Sequence, residues 1–386
     1  MRNVPRRIGA RLAATGLSAA VGVALCGAVH PPHGVDQRAL MAPDAAPTLR
    51  DYRLFVDAPG RRPQADLIPY DLNTPLFSDY ALKTRYLYLP PGAKARYRAR
   101  GVIDLPVGSA LIKTFAFPAD LRAPNRDVRR IETRLLIHKP DGWTARTYVW
   151  NADQTDAVLK VAGSHVPIRV TDLSGRPREI AYVVPNQNQC KECHAVKGAL
   201  SPIGPKARNL NGAFRYAGGW ENQVAHLIRI DRLAGAPAPA VWPRTAVWND
   251  PGEPLADRAG AYLDANCGHC HSRAGFAGNS GLYLDLEEQD AAARGVLKRP
   301  VAAGRGSGDL AFDVAPGDPD RSILIYRMAS REPGVMMPQI GRSVVHDEGL
   351  ALVRAYIASL KPDAQTPASA PTPMPNTIST GRLNKK

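Results

Sequence analysis

Methionine, cysteine and long apolar runs are all scarce in this chain of 386 residues, and each scarcity narrows what it can do. No methionine lies between Met41 and Met328, so a thioether needed in the middle of the chain must come from far along it. There are five cysteines, too few and too clustered for a disulfide scaffold of this length. Beyond the first thirty or so residues no stretch is long and apolar enough to span a bilayer. No Ser/His/Asp set and no paired carboxylates stand out from the loop aspartates, so the usual signs of hydrolytic or acid–base catalysis are missing.

What is there is concentrated in four of the five cysteines. Cys267-Gly268-His269-Cys270-His271 is a Cys-x-x-Cys-His run, and Cys190-Lys191-Glu192-Cys193-His194 repeats it upstream. Two thiols at that spacing can add to the two vinyl groups of one porphyrin, and the adjoining imidazole is carried under the iron. Zinc could use two Cys-x-x-Cys pairs but needs only four ligands in all, and would not ask for a histidine behind each pair. A thioredoxin-like dithiol would ask for neither the histidine nor the second copy. The residues therefore predict two covalently attached c-type haems, on Cys190 and Cys193 and on Cys267 and Cys270, with His194 and His271 as iron ligands.

Residues 1–28 read as an export signal. Arg2, Arg6, Arg7 and Arg11 make a positive start, an apolar stretch follows, and Cys26-Gly27-Ala28 offers small residues for cleavage. An uncleaved anchor is the rival, weakened by Gly16, Ser18 and Gly22; Leu25 argues against a lipid-bearing Cys26. Export fits the thiol usage, because c-type haem is attached in an oxidising compartment, and it predicts a periplasmic protein with no membrane span once the signal is removed. The formal charge of +15 is uneven: residues 45–185 hold twenty-two basic against fourteen acidic side chains, residues 255–361 twelve against thirteen. A basic front half can steer an acidic redox partner, or can simply be a solvated face. Nucleic acid is a poor partner for an exported haem protein.

In chain order, residues 29–48 read as a linker. Residues 49–185 carry alternating apolar positions and turn chemistry, as in Arg130–His138, the Lys139-Pro140-Asp141-Gly142 turn and Trp143–Trp150, and predict a β-sandwich-like antiparallel module. Residues 186–254 form a short first haem-binding segment with a helix expected over 219–228, its stripe of Val224, Leu227 and Ile228 flanked by His226. Residues 255–361 predict a small helical domain with helices near 255–266, within 282–299, over 319–328 and over 346–360. Residues 362–386, rich in Pro, Ala, Ser and Thr, predict a disordered tail. The fold class expected is multidomain α+β, with an N-terminal antiparallel β module, a short haem-binding segment and a C-terminal all-α domain.

That last region resembles a class I cytochrome c domain, on a leading helix, Cys267–His271, Met337-Pro338 and a closing helix ending Ala355-Tyr356-Ile357-Ala358-Ser359-Leu360. The resemblance implies His271 as proximal and Met337 as distal ligand, with Met336 the rival by adjacency. Longer stretches, among them Asn73-Thr74-Pro75-Leu76-Phe77-Ser78-Asp79-Tyr80 and Asn186-Gln187-Asn188-Gln189-Cys190, are similar to a family of bacterial two-haem cytochromes of poorly defined role. It implies electron transfer in the periplasm and names no substrate. No Met-Pro loop follows Cys190, so the first haem's distal ligand is sought among histidines: His226 first, then His138 and His165 from the β module, or an open site. A filled site predicts an electron carrier. An open one predicts a haem enzyme, peroxidase-like or dehydrogenase-associated, with the second haem as relay.

Overall fold

The front half is built by strands whose register is set residue by residue. The computed structural model describes residues 34–361; the expected signal at 1–28, the first residues of the expected linker and the expected tail at 362–386 lie outside the described residues. After a short helix, α1 (Gln37–Met41), the strands are β1 (Leu67–Pro69), β2 (Leu82–Tyr88), β3 (Ala95–Arg96), β4 (Ala110–Phe117), β5 (Arg129–Lys139), β6 (Gly142–Trp150), β7 (Ala157–Leu159), β8 (Ser164–Thr171) and β9 (Pro177–Val184). Six pair antiparallel in the order β1-β2-β4-β5-β6-β7, and β8 and β9 form a separate hairpin. The expected hairpin through Lys139-Pro140-Asp141-Gly142 is β5–β6, with Lys139 opposite Gly142 across a tight reversal.

Both faces of the sheet are covered. On one, Tyr88, Ile112, Leu135, Ile137, Tyr148 and Trp150 pack against Leu40, Leu49, Tyr52 and Leu54, which come from α1 and the residues after it. Each such side chain contributes about 1.5–3 kcal/mol when fully withdrawn from water. The end of the expected linker is therefore part of the fold: Asp36 caps α1 by accepting from the Ala39 amide, and Leu40 is 1% exposed. On the other face, Leu87, Leu111 and Leu136 pack at one end against Leu210, Val224 and Leu227 of the middle segment. At the far end Phe115 and Phe117 meet Ile168, Val170, Ile180 and Tyr182 of β8–β9.

The middle segment holds α2 (Gln187–His194), the small hairpins β10 (Ala195–Val196) with β11 (Ala199–Leu200) and β12 (Ala213–Tyr216) with β13 (Gly219–Asn222), the helices α3 (Ala207–Leu210) and α4 (Gln223–Arg229), and β14 (Leu233–Ala234), which pairs parallel with β3. The helix expected over 219–228 starts later. Asn222 accepts from the Val224 and Ala225 amides and caps α4, while Gly219–Asn222 pairs with Ala213–Tyr216 as a strand.

The expected C-terminal all-α cytochrome c domain is overturned. The chain is mostly antiparallel sheet, and residues 255–361 carry three short helices, α5 (Leu255–Leu263), α6 (Ile323–Ala329) and α7 (Asp347–Ser359), separated by long irregular stretches. The helix expected within 282–299 does not form. There the Asp285 side chain accepts from the Glu287 amide, Glu288 from Gln289 and Asp290, and Asp290 from Ala292, so acidic side chains take the amides that a helix would need. The region is not separate from the sheet either. Asp79 accepts from the Ser343 and Val344 amides at 2.7 and 3.0 Å, and Val344 packs into the core formed by β4, β8 and β9.

Candidate functional site

The first Cys-x-x-Cys-His run lies on α2, which begins with a reciprocal cap: Asn186 accepts from the Gln189 amide and Gln189 from the Asn186 amide. Helical spacing puts Cys190, Cys193 and His194 on one side of α2, and all three line one cavity. The second run leaves α5 through a π-helical turn, Asp264–Gly268, that brings Cys267 to the helix end. Gly268 is required there, because a Cβ would come within 2.9 Å of the Asp285 Cα. Cys267, Cys270 and His271 line a second cavity.

The cavities, about 200 and 330 Å³, are far larger than the 10–15 Å³ or so that one water needs. They adjoin. Cys193, Asn266, Cys267, Met328 and Met337 line both, so two runs 73 positions apart in sequence (194 to 267) meet in space.

His194 donates from Nδ1 to the Ser201 carbonyl at 2.9 Å, which leaves its Nε2 free, the arrangement by which an outer hydrogen bond orients a metal-binding imidazole; His271 Nδ1 lies 3.3 Å from the Ser280 hydroxyl. Burial pushes the His194 pKa down to about 4 and also lowers that of His271, so both rings are neutral and able to ligate.

The two Cys-x-x-Cys pairs, each with its own histidine, have the residue types that two covalently held haems would need, and three of the donors also lie within reach of one point. Sulfur or nitrogen atoms of Cys193, His269 and Cys270 lie within 4.8 Å of one another. A structural zinc site wants four ligands, and this cluster, the one such group among the described residues, includes neither His194 nor His271. Cys190 and Cys267 also stand outside it. The Cys193 thiol, accepting from Cys270 and His269, is pulled well down, while Cys270 is pushed up. No disulfide joins the four cysteines. The His269 Nδ1 is buried without a hydrogen-bond partner among the described residues, a polar atom left between the two cavities.

Met337 lines both cavities, and its loop is fixed by Arg342. That guanidinium donates to the carbonyls of Arg327, Met328, Ser330, Met337 and Val344. Met336 lines neither cavity. Met328, 7% exposed on α6, lines both and is the rival that the sequence did not single out.

His226 stands elsewhere. Its ring stacks on Tyr216 at 3.4 Å, its Nδ1 is 2.7 Å from the Glu221 carboxylate, and it lines neither cavity. His138 stacks on Trp143 and bonds the Leu105 carbonyl, and His165 sits on the β8 strand. Besides His194 and His269 of the two runs, His346 lines the first cavity, stacked on Phe77 at 4.1 Å. It stands at the start of α7, outside any Cys-His pattern.

The first cavity also has a wall of cations, Arg85, Lys113 and Arg134, contributed by the sheet. Among the described residues no helix is long and apolar enough to cross a membrane. No family model, no curated protein and no solved structure matches the chain, so its own residues carry the functional reading.

Proposed function

We propose that the protein is an exported, periplasmic c-type cytochrome with two covalently attached haems that passes electrons between redox partner proteins, as in the bacterial two-haem family its sequence resembles. The observation that carries this reading is the convergence of two Cys-x-x-Cys-His runs on adjoining cavities, with a hydrogen bond at Nδ1 of each run histidine. Cys190 and Cys193 would hold one haem and Cys267 and Cys270 the other, with His194 and His271 as proximal ligands. Bound haem supplies one-electron exchange at iron. Met337, a soft thioether lining the same cavity as His271, would favour the reduced metal and raise that site's potential. The shared lining residues would keep the two sites close. The basic front half would meet an acidic partner. Intact-mass measurement after export should show two haems that survive acid extraction; one or none overturns the reading.

A second reading, a haem enzyme whose first cavity admits a small ligand, is favoured by the placement of His226 away from that cavity and by the cations that face it. Added cyanide or peroxide should then change the spectrum of one haem, and leave both unchanged if the protein is a carrier alone.

A further inference from the structure

The sheet face that looks toward the first cavity carries Leu87, Leu111 and Leu136 at one end and charged side chains beyond them. Pairing places Arg85 of β2 opposite Lys113 of β4, and Lys113 opposite Arg134 of β5, so three cations stand side by side across three strands. All three line the cavity. Like charges directly opposite one another destabilise a sheet, and a cation withdrawn from water is costly unless paired.

Two of the three are paired within the fold, Arg85 with Asp71 and Arg134 with Glu132. Lys113 is not. Among the described residues its Nζ makes no hydrogen bond and no ion pair, and it lies 4.8 Å from the centre of the Phe115 ring. Burial first, then Arg85, Lys83 and Arg134, push its pKa well below the ordinary lysine range. An anion beside it would restore the charged form, so binding would take up a proton. One rung along the strands, Leu111, Leu136 and Ala145 give the same cavity an apolar floor.

We propose that Arg85, Lys113 and Arg134 form an anion-binding row inside the first cavity, with Lys113 as the group the ligand pairs with, and that the ligand is a carboxylate or a small oxyanion. The apolar floor beside the row suits a ligand whose anionic group is carried on a flat apolar body. Two sources share that chemistry: the propionates of a haem on Cys190 and Cys193, which rests on the function proposed above, and a free anion, which does not.

The full exported chain is first weighed to fix its haem content. It is then titrated with acetate and with inorganic phosphate, following thermal unfolding and haem absorbance, beside Lys113→Met and Lys113→Arg. Lys113→Met removes one cation from a like-charged row and should fold at least as well as the wild type. A free anion gives a saturable rise in unfolding temperature, weakened about tenfold or more in Lys113→Met and retained in Lys113→Arg. Propionates filling the row give no response to either probe, but a lower midpoint potential for one haem in Lys113→Met that Lys113→Arg restores. If Lys113→Met alters neither anion binding nor potential, the proposal is overturned. A chain without haem sinks the proposed function and leaves the anion titration to decide, so the two failures are told apart.

Discussion

Asp264 should be among the costliest single residues to remove, and the reason lies in what it holds. It sits in the π turn just before Cys267, 4% exposed, and accepts from the Lys206 ammonium at 3.2 Å, the Arg208 guanidinium at 2.8 Å and the Leu286 amide at 3.2 Å. Lys206 and Arg208 belong to the segment that follows the first run, so this carboxylate ties the surroundings of one Cys-x-x-Cys-His run to those of the other. Both cations are largely buried. Truncation to alanine would leave Lys206 without a counter-ion and Arg208 with only the Glu287 contact at 3.0 Å. Breaking a buried pair by removing one partner costs about 3–5 kcal/mol, because the other charge stays behind uncompensated. In a chain of this size that is a fall in unfolding temperature of roughly 5 °C.

Equilibrium denaturation of the wild type and Asp264→Ala measures the loss directly, with Glu179→Ala as a control that removes the exposed Arg169–Glu179 pair and should do almost nothing. Asp264→Asn separates charge from shape, since the amide still accepts from Leu286. Burial works against ionisation of Asp264, but Lys206, Arg208 and the Leu286 amide outweigh it and hold its carboxyl below the usual range. A depressed carboxyl contributes stability that is present above its unfolded pKa of about 3.9 and lost as pH falls through the lower folded value. Acid should therefore narrow the gap between the wild type and Asp264→Asn. A loss below about 1 kcal/mol in Asp264→Ala, the scale of an exposed pair, would refute the reasoning.

Two further outcomes follow from the walls of the first and second cavities. His346 is stacked on Phe77, bonded at Nδ1 to the Tyr262 hydroxyl at 3.0 Å, 3.6 Å from Glu348, and faced by Lys83 and Asp347. Burial pushes its pKa down to about 4. The unfolded chain takes up that proton first, so stability should fall as pH drops from about 6.5 to 4, by about 3 kcal/mol at most from this group. Urea unfolding at steps across that range should show a shallower slope in His346→Gln, and parallel slopes would exclude His346 as the cause. At the second cavity, on the proposed two-haem reading, Met337→Ala should remove the sulfur-to-iron absorption of the oxidised protein and lower one midpoint potential, whereas Met336→Ala should leave both alone; if Met328→Ala does this instead, the thioether would come from α6.

How much of this was legible in the sequence depended on whether each feature is local. The Cys-x-x-Cys-His runs are readable because they are short local patterns, and α2 brings Cys190, Cys193 and His194 of the first to one side of a helix. The β5–β6 hairpin is readable for a similar reason, since Gly142 takes the positive φ of 120° that its tight turn demands. The helix expected within 282–299 had good composition but carried Asp285, Glu288 and Asp290, whose side chains capture nearby amides; propensity alone does not reveal that competition. The all-α expectation failed with it. His226 shows the same limit in another form, because its helical stripe was readable while the partners that occupy its ring, Tyr216 and Glu221, come from the hairpin beside it.

The cation row was hidden for a deeper reason. The β4 strand is buried on both faces, so it reads as a nearly continuous apolar run in which Lys113 looks like an interruption. Arg85 and Arg134 likewise look like ordinary polar positions on half-exposed strands. Only cross-strand register makes the three adjacent, and register is decided by pairing between strands rather than within any one of them. A slip of one residue in β4 would turn Lys113 to the opposite face, into the core with Tyr52 and Tyr148, and bring Ile112 or Thr114 to the cavity. The uncompensated lysine is thus kept at the cavity by the apolar packing of both faces at once. Such an amine, costly to charge where it stands and fixed there by everything around it, is better explained by a ligand it meets than by the stability of the sheet that holds it.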